Sequence, residues 1–195
     1  MSDDERLSTI LDAAYACFTR HGVRRTTMDD IARQADMSRP AVYQYVRNKE
    51  DAFRRLTQRL LDHALADARA AAQSPTGLAD RLTAALQAKL ALTLSLWRDS
   101  PAHAAELLGS DARLSAELID AYNAAMRNLL ADTIAGTLPS GDAAEFAELL
   151  LAFTRGLEAD LSDPDAPARR LRHGVTLLVA GLGRRPQTAT TQEPS

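Results

Sequence analysis

Residues 26–50 read TTMDDIARQADMSRPAVYQYVRNKE, and three helix starts are legible in that stretch. Thr27 can accept from the free amides of a first turn that also carries Asp30. Ser38 precedes a first turn in which Pro40 is tolerated, and Asn48 stands ahead of Lys49. Behind the first start, Ile31, Ala32 and Ala35 give a short helix its buried face. Behind the second, Val42 and Val46 form an i, i+4 apolar pair on a helix about two turns long. The connection at Asp36-Met37 is a tight turn, and Asp accepts left-handed backbone geometry better than most residues.

Working outward, Leu7, Ile10, Leu11, Ala14 and Phe18 mark one face of an upstream helix that stops at His21-Gly22. Cys17 lies beside that stripe as small core filler. Downstream, Lys49 to Ala72 reads as one helix with Phe53, Leu56, Leu60 and Ala64 inward, broken at residues 73–77. Further helices are predicted at Leu78–Trp97, Leu114–Thr137, Ala143–Leu161 and Ala168–Leu182. Their breaks fall at Ser100-Pro101, Gly109-Ser110, residues 138–141 and residues 162–164. Alanine and leucine dominate and β-branched runs are missing, so the fold class is all-α. The last residues, from Arg184, have no apolar period and read as a disordered tail. The predicted organisation is a three-helix unit over 1–48, a connecting helix over 49–72, a larger helical domain over 73–183 and a tail over 184–195.

A chain of 195 residues can hold one sizeable core, or a small domain fused to a larger one. Its single cysteine excludes an intrachain disulfide and argues against a cysteine-based zinc site, which suits a reducing cytoplasm. Met1 to Glu5 is acidic, and the apolar runs at Leu90–Leu96 and Leu149–Phe153 are far too short for a membrane span. A cytoplasmic protein with no membrane partner is expected. The net charge of −3 is unevenly spread. Between Arg20 and Arg59 ten basic residues face five acidic ones, leaving −8 for the rest of the chain. A basic segment on an acidic body suits a nucleic-acid-reading module attached to a domain with another task.

If Val42 and Val46 face the core, then Arg39, Pro40, Tyr43 and Gln44 lie on or near the opposite side, where a helix can enter a major groove. Arg39 can fork onto guanine and Gln44 can pair with adenine, while Tyr43 and Tyr45 can reach phosphates. Lys49 and Thr27, beside helix amino ends, can hold the DNA backbone, as can Ser38. Arg25, with Arg24, adds electrostatic attraction. Taken singly, the tyrosines also suit half-buried packing and the arginines an ordinary charged surface. The joint arrangement carries the reading.

The segment from Glu5 to Arg59 also resembles the DNA-binding region of the tetracycline-repressor (TetR) family. The resemblance rests on Ile10-Leu11-Asp12-Ala13-Ala14, Phe18, Gly22, Thr26-Thr27, Asp30-Ile31-Ala32, Ala35, Ser38, Val42-Tyr43, Tyr45 and Lys49-Glu50. Two positions depart from the family pattern: Asp36 stands where glycine is usual, and Val46 where an aromatic residue is usual. The resemblance implies a helix-turn-helix domain followed by a larger helical domain that binds an effector and dimerises through its last two long helices.

The residues of that second domain agree in outline. Phe146, Leu150, Phe153 and Leu157 on one helix, and Leu171, Val175, Leu178 and Leu182 on the next, form wide apolar stripes. These suit a shared four-helix interface, with Gly156, Gly174 and Gly181 allowing close approach, or equally the core of an isolated domain. Leu90, Leu94, Trp97, His103, Tyr122 and Met126 are candidates for a ligand pocket, each also a ready core residue. The function these features imply is sequence-specific transcriptional regulation by a homodimer on palindromic double-stranded DNA. Repression is the expected sign, since a bound dimer blocks polymerase without further surface, and a small-molecule effector would release it. The alternative is a helical protein-interaction module without operator binding. Four scattered histidines, one cysteine and no phosphate-cradling loop supply no catalytic constellation, so neither an enzyme nor a cofactor or metal site is expected.

Overall fold

The computed structural model describes residues 2–104, 107, 112–138, 140–158, 163 and 165–182. Eight helices are found among them: α1 (Asp3–His21), α2 (Met28–Gln34), α3 (Arg39–Tyr43), α4 (Lys49–Ala72), α5 (Leu78–Asp99), α6 (Ala112–Ile134), α7 (Ser140–Leu157) and α8 (Ala166–Leu182). The expected break at Gly109-Ser110 and the tail over 184–195 lie outside the described residues.

Local chemistry sets the first four. Ser2 and Glu5 close a capping box on α1, and Gly22 ends it at φ 77° with its N–H on the Phe18 carbonyl. Thr27 and Asp30 form a second box on α2. Ser38 accepts from the Ala41 amide at the start of α3, and Asn48 from the Asp51 amide at the start of α4. Asp36 adopts φ 53°, so the turn between α2 and α3 keeps the left-handed geometry although no glycine stands there. The α3 segment has five helical residues, and hydrogen bonds from the Tyr45 and Val46 amides to the Val42 carbonyl extend its winding.

Several helix ends differ from expectation: α5 runs on to Asp99, α6 starts at Ala112, and α7 spans Ser140–Leu157, entering the expected break at residues 138–141; two further differences have visible reasons. The α6 helix stops at Ile134 because Gly136 turns the chain at φ 87°. The α8 helix begins at Ala166, two residues early, because Pro167 needs no amide partner in a first turn.

Two apolar cores result. The first gathers Ile10, Phe18, Ile31, Val42, Val46 and Phe53 from α1–α4, with the Phe18 and Phe53 rings edge to face at 5.7 Å. The second is built from α4–α8 around Leu82, Leu86, Met126, Leu130, Leu150 and Leu171. The α4 helix belongs to both: Ala52, Phe53 and Leu56 enter the first, and Leu61, Ala64, Ala68 and Ala72 the second. A Ser100 hydroxyl bonded to the Thr19 carbonyl at 2.7 Å joins α1 to the far end of α5. Among the described residues no helix is long and apolar enough to cross a membrane, and no cluster of three or more His, Cys, Asp or Glu could hold a metal ion.

Candidate nucleic-acid interface and interior cavity

The outer side of α3 is built by burying its other side. Val42 is fully buried and Val46 is 1% exposed, while Arg39, Pro40, Tyr43 and Gln44 are all exposed. Arg39 is already ordered. Its Nη1 donates to Asp29 at 3.2 Å, its Nη2 donates to the Tyr43 hydroxyl at 3.3 Å, and its guanidinium lies 5.5 Å from the Tyr43 ring centre. Asp29 sits in the first turn of α2, so an acidic side chain already holds the arginine expected from the sequence to face a base.

The other proposed contacts sit around this helix in different ways. Thr27 is exposed, and its amide and hydroxyl both donate to Asp30 Oδ2, at 3.0 and 2.7 Å. Those bonds hold the Asp30 carboxyl below the ordinary carboxylate range, the side-chain bond contributing most. Ser38 and Arg25 are exposed. Tyr45 is half-buried, and its hydroxyl donates to Asp3 at 3.0 Å and accepts from Arg6 at 3.4 Å. Its polar end therefore ties α3 to the start of α1. Lys49 donates to the Arg24 carbonyl at 3.1 Å, bracing the loop between α1 and α2 against the start of α4. Sequence spacing could not show these ties, because Asp3 and Tyr45 lie 42 positions apart.

A cavity of about 200 Å³ lies between the two cores. Tyr15, Phe53 and Leu56 come to its wall from the α1–α4 half, Leu92 and Leu96 from α5, and Ile119 with Tyr122 from α6. Tyr15 also donates its hydroxyl to Asp99 at 2.5 Å; burial first, then that bond, push its pKa well above the ordinary tyrosine value.

Of the six residues proposed from the sequence for a pocket, Tyr122 lines this cavity. Leu90 and Met126 are sealed in the second core, Leu94 packs against it, and Trp97 and His103 are half-buried away from the wall. The difference on α5 is a rotation. The wall uses Lys89, Thr93 and Leu96 where the sequence suggested Leu90, Leu94 and Trp97, and one residue of offset turns a side chain by about 100°.

Lys89 is the residue the sequence reading passed over, although it is the sole charge on α5 between Arg81 and Arg98. It is 8% exposed, and its ammonium lies 2.7 Å from Glu158. Beside them Tyr122 is 7% exposed, and its hydroxyl has no hydrogen-bond partner among the described residues. Burial, with the nearby Glu158 charge second, pushes the Tyr122 pKa far up, so the group stays a neutral donor.

On α7 and α8, Phe146, Leu150, Leu171 and Val175 are buried inside the single chain, facing α5 and α6 rather than outward. Phe153, Leu157, Leu178 and Leu182 are half-buried at the rim of that core. The outward apolar residues are Leu149, 48% exposed, and Leu177, 59% exposed. The Phe153 ring lies directly over Gly174, where an added Cβ would fall 2.6 Å from Cε1; Gly156 and Gly181 face open space.

Residues 10–56 match the family model described as bacterial regulatory proteins, tetR family. An uncharacterised HTH-type transcriptional regulator of Bacillus subtilis, YfiR, is 40% identical over 62 residues, 32% of this chain and 30% of that one. The HTH-type transcriptional activator FasR of Mycolicibacterium smegmatis is 34% identical over 85 residues, 44% of this chain and 39% of that one. The matched segments thus span about a third of the length of these relatives, both of them transcriptional regulators rather than enzymes. The fold likeness reaches further. A TetR-family transcriptional regulator of Streptomyces coelicolor superposes with a TM-score of 0.72 over 92% of this chain and 96% of its own, at 17% identity.

Proposed function

Taking as premise that residues 10–56 form a DNA-binding domain of the TetR family, we propose that the protein is a sequence-specific, homodimeric transcriptional regulator. It represses from a palindromic operator and is released when a small molecule occupies the interior cavity. The observation that carries this reading is the division of α3. Two buried valines anchor it, and four exposed residues, Arg39, Pro40, Tyr43 and Gln44, project together from the opposite side.

In this reading Arg39 and Gln44 read base edges, and Tyr43 contacts phosphate. Thr27, Ser38, Arg25 and Lys49 hold the backbone on either side, with Tyr45 steadying the helix from behind. Two copies are needed to place two such helices about 34–36 Å apart on a palindrome. The partner face falls on α7 and α8 around Leu149 and Leu177, with Phe153, Leu157, Leu178 and Leu182 at its edge. The four residues buried in the chain support that face from behind. Because the cavity takes walls from both cores, an occupant bears on the angle between them and so on the spacing of the two recognition helices.

Fluorescence anisotropy on a selected palindromic duplex tests the division of α3. Gln44→Ala relaxes preference at one base position, whereas equal weakening on all operator variants would defeat the assignment.

A further inference from the structure

Lys89, on the wall of the cavity, forms an ion pair with Glu158, and the two partners are not equally fixed. Lys89 projects from the middle of α5, is 8% exposed, and also borders a second, polar cleft lined by Asp120, Asn123, Glu145 and Glu148. Glu158 stands just past the last helical residue of α7, at a helix end, and is the more exposed of the pair. Either partner buried alone is costly, so the pair opens only if something replaces one member. Glu158, at a helix end, is the partner that moves with less rearrangement.

Tyr122 adds the second half of the site. Its hydroxyl is a buried donor without an acceptor, close enough to Glu158 for that charge to affect its titration, and the Glu158 carboxylate bonds Lys89 without satisfying it. A buried donor left unpaired costs about 1–3 kcal/mol. Two donors thus lie on the wall of a cavity that is otherwise mostly leucine, isoleucine and aromatic carbon, with Thr57, Thr93 and Asn123 among its other polar residues. A carboxylate brings two acceptor oxygens, one for each donor.

Resting on the reading of this cavity as the effector pocket, we propose that the effector is an apolar weak acid whose anionic head displaces Glu158 from Lys89 and accepts from Tyr122. The ion pair then acts as a built-in competitor. It keeps the empty site neutral, and its release frees the end of α7, one of the two helices assigned to the dimer face. A neutral ligand of the same length fills the apolar part without opening the pair. A cationic one meets Lys89 and is repelled.

Isothermal titration of the full chain with octanoate, octyl alcohol and octylamine separates these cases. Octanoate is expected to bind about tenfold more tightly than the alcohol, the ratio that one charge-assisted hydrogen bond supports. Octylamine is expected to bind more weakly than either. Lys89→Met abolishes the preference for the acid and spares the alcohol. Glu158→Gln, which removes the competitor's charge and leaves the lysine in place, tightens octanoate and leaves the alcohol unchanged. Tyr122→Phe weakens octanoate, and circular dichroism confirms that each variant is folded. Should Lys89→Met fail to fold, the Glu158→Gln comparison decides alone. Octanoate binding no better than octyl alcohol, or Glu158→Gln weakening it, overturns the weak-acid assignment while leaving the pocket. If none of the three probes binds, the pocket reading itself falls.

Discussion

Asp29→Asn is expected to strengthen operator binding, and the gain can be worked from the geometry of one ion pair. Arg39 approaches Asp29 at 3.2 Å, with both side chains 55% exposed. To fork onto a base, the guanidinium must first give up that carboxylate. Exposed pairs of this kind contribute little and are screened by salt, so freeing Arg39 raises affinity by a few-fold at most. A second effect runs in the same direction, because removing any acidic charge near DNA phosphates raises affinity whatever Arg39 does. The two are separated by a double-mutant cycle, measured by anisotropy on one operator duplex at two salt concentrations. Asp29→Asn is compared in the wild-type and Arg39→Ala backgrounds, and the difference between the two gains is the cost of releasing the arginine. Asp29 also stands in the first turn of α2, so its replacement removes a favourable interaction with the helix amino end, about 0.3–1 kcal/mol, visible as a slightly lower melting temperature. Equal gains in both backgrounds would mean that Asp29 acts as a generic charge and not as a restraint on Arg39.

Other consequences follow from named side chains. The double variant Tyr43→Ala, Lys49→Ala weakens binding to all sequences and lowers the slope of log affinity against log salt by about 0.9 for each phosphate no longer neutralised, read from a salt titration. Gly174→Ala puts a methyl against the Phe153 ring, which must swing aside, and the roughly 1 kcal/mol that alanine gains over glycine in a helix interior offsets that cost, so a small change in the urea midpoint is expected; a large fall would show that the ring cannot move. The Asp30 carboxyl is held below its ordinary range in the folded chain, so its contribution is complete above about pH 4, near the unfolded value, and disappears as pH falls through the folded value. Asp30→Asn should therefore lower the melting temperature at neutral pH and shrink that difference progressively on acidification, followed by circular dichroism.

The N-terminal half was legible because its determinants are local. Thr27, Ser38 and Asn48 cap helices within three residues of themselves, and Asp36 carries its left-handed turn alone. Val42 and Val46 announce the buried side of α3 by their spacing, which leaves the reading side by subtraction. Pairings across the chain left no such mark. Nothing in the spacing of Asp29 and Arg39, or of Asp3 and Tyr45, predicts that they meet. Periodicity also cannot say which body covers an apolar stripe. Phe146, Leu150, Leu171 and Val175 follow the pattern equally well for a partner or for a core, and the fold turns them onto α5 and α6. On α5 the apolar face is so broad that its spacing does not say which residues border the cavity, and Lys89, the sole charge between Arg81 and Arg98, stands on that wall.

Operator binding itself is read from a binding selection from genomic fragments with the purified protein at near-physiological salt. Enrichment of a palindrome is expected, with half-site centres one helical turn apart or a multiple of it, and no such enrichment when Arg39 and Gln44 are both replaced by alanine. A folded protein that enriches no sequence, with and without octanoate present, would contradict operator binding and leave α3 as a surface for another protein.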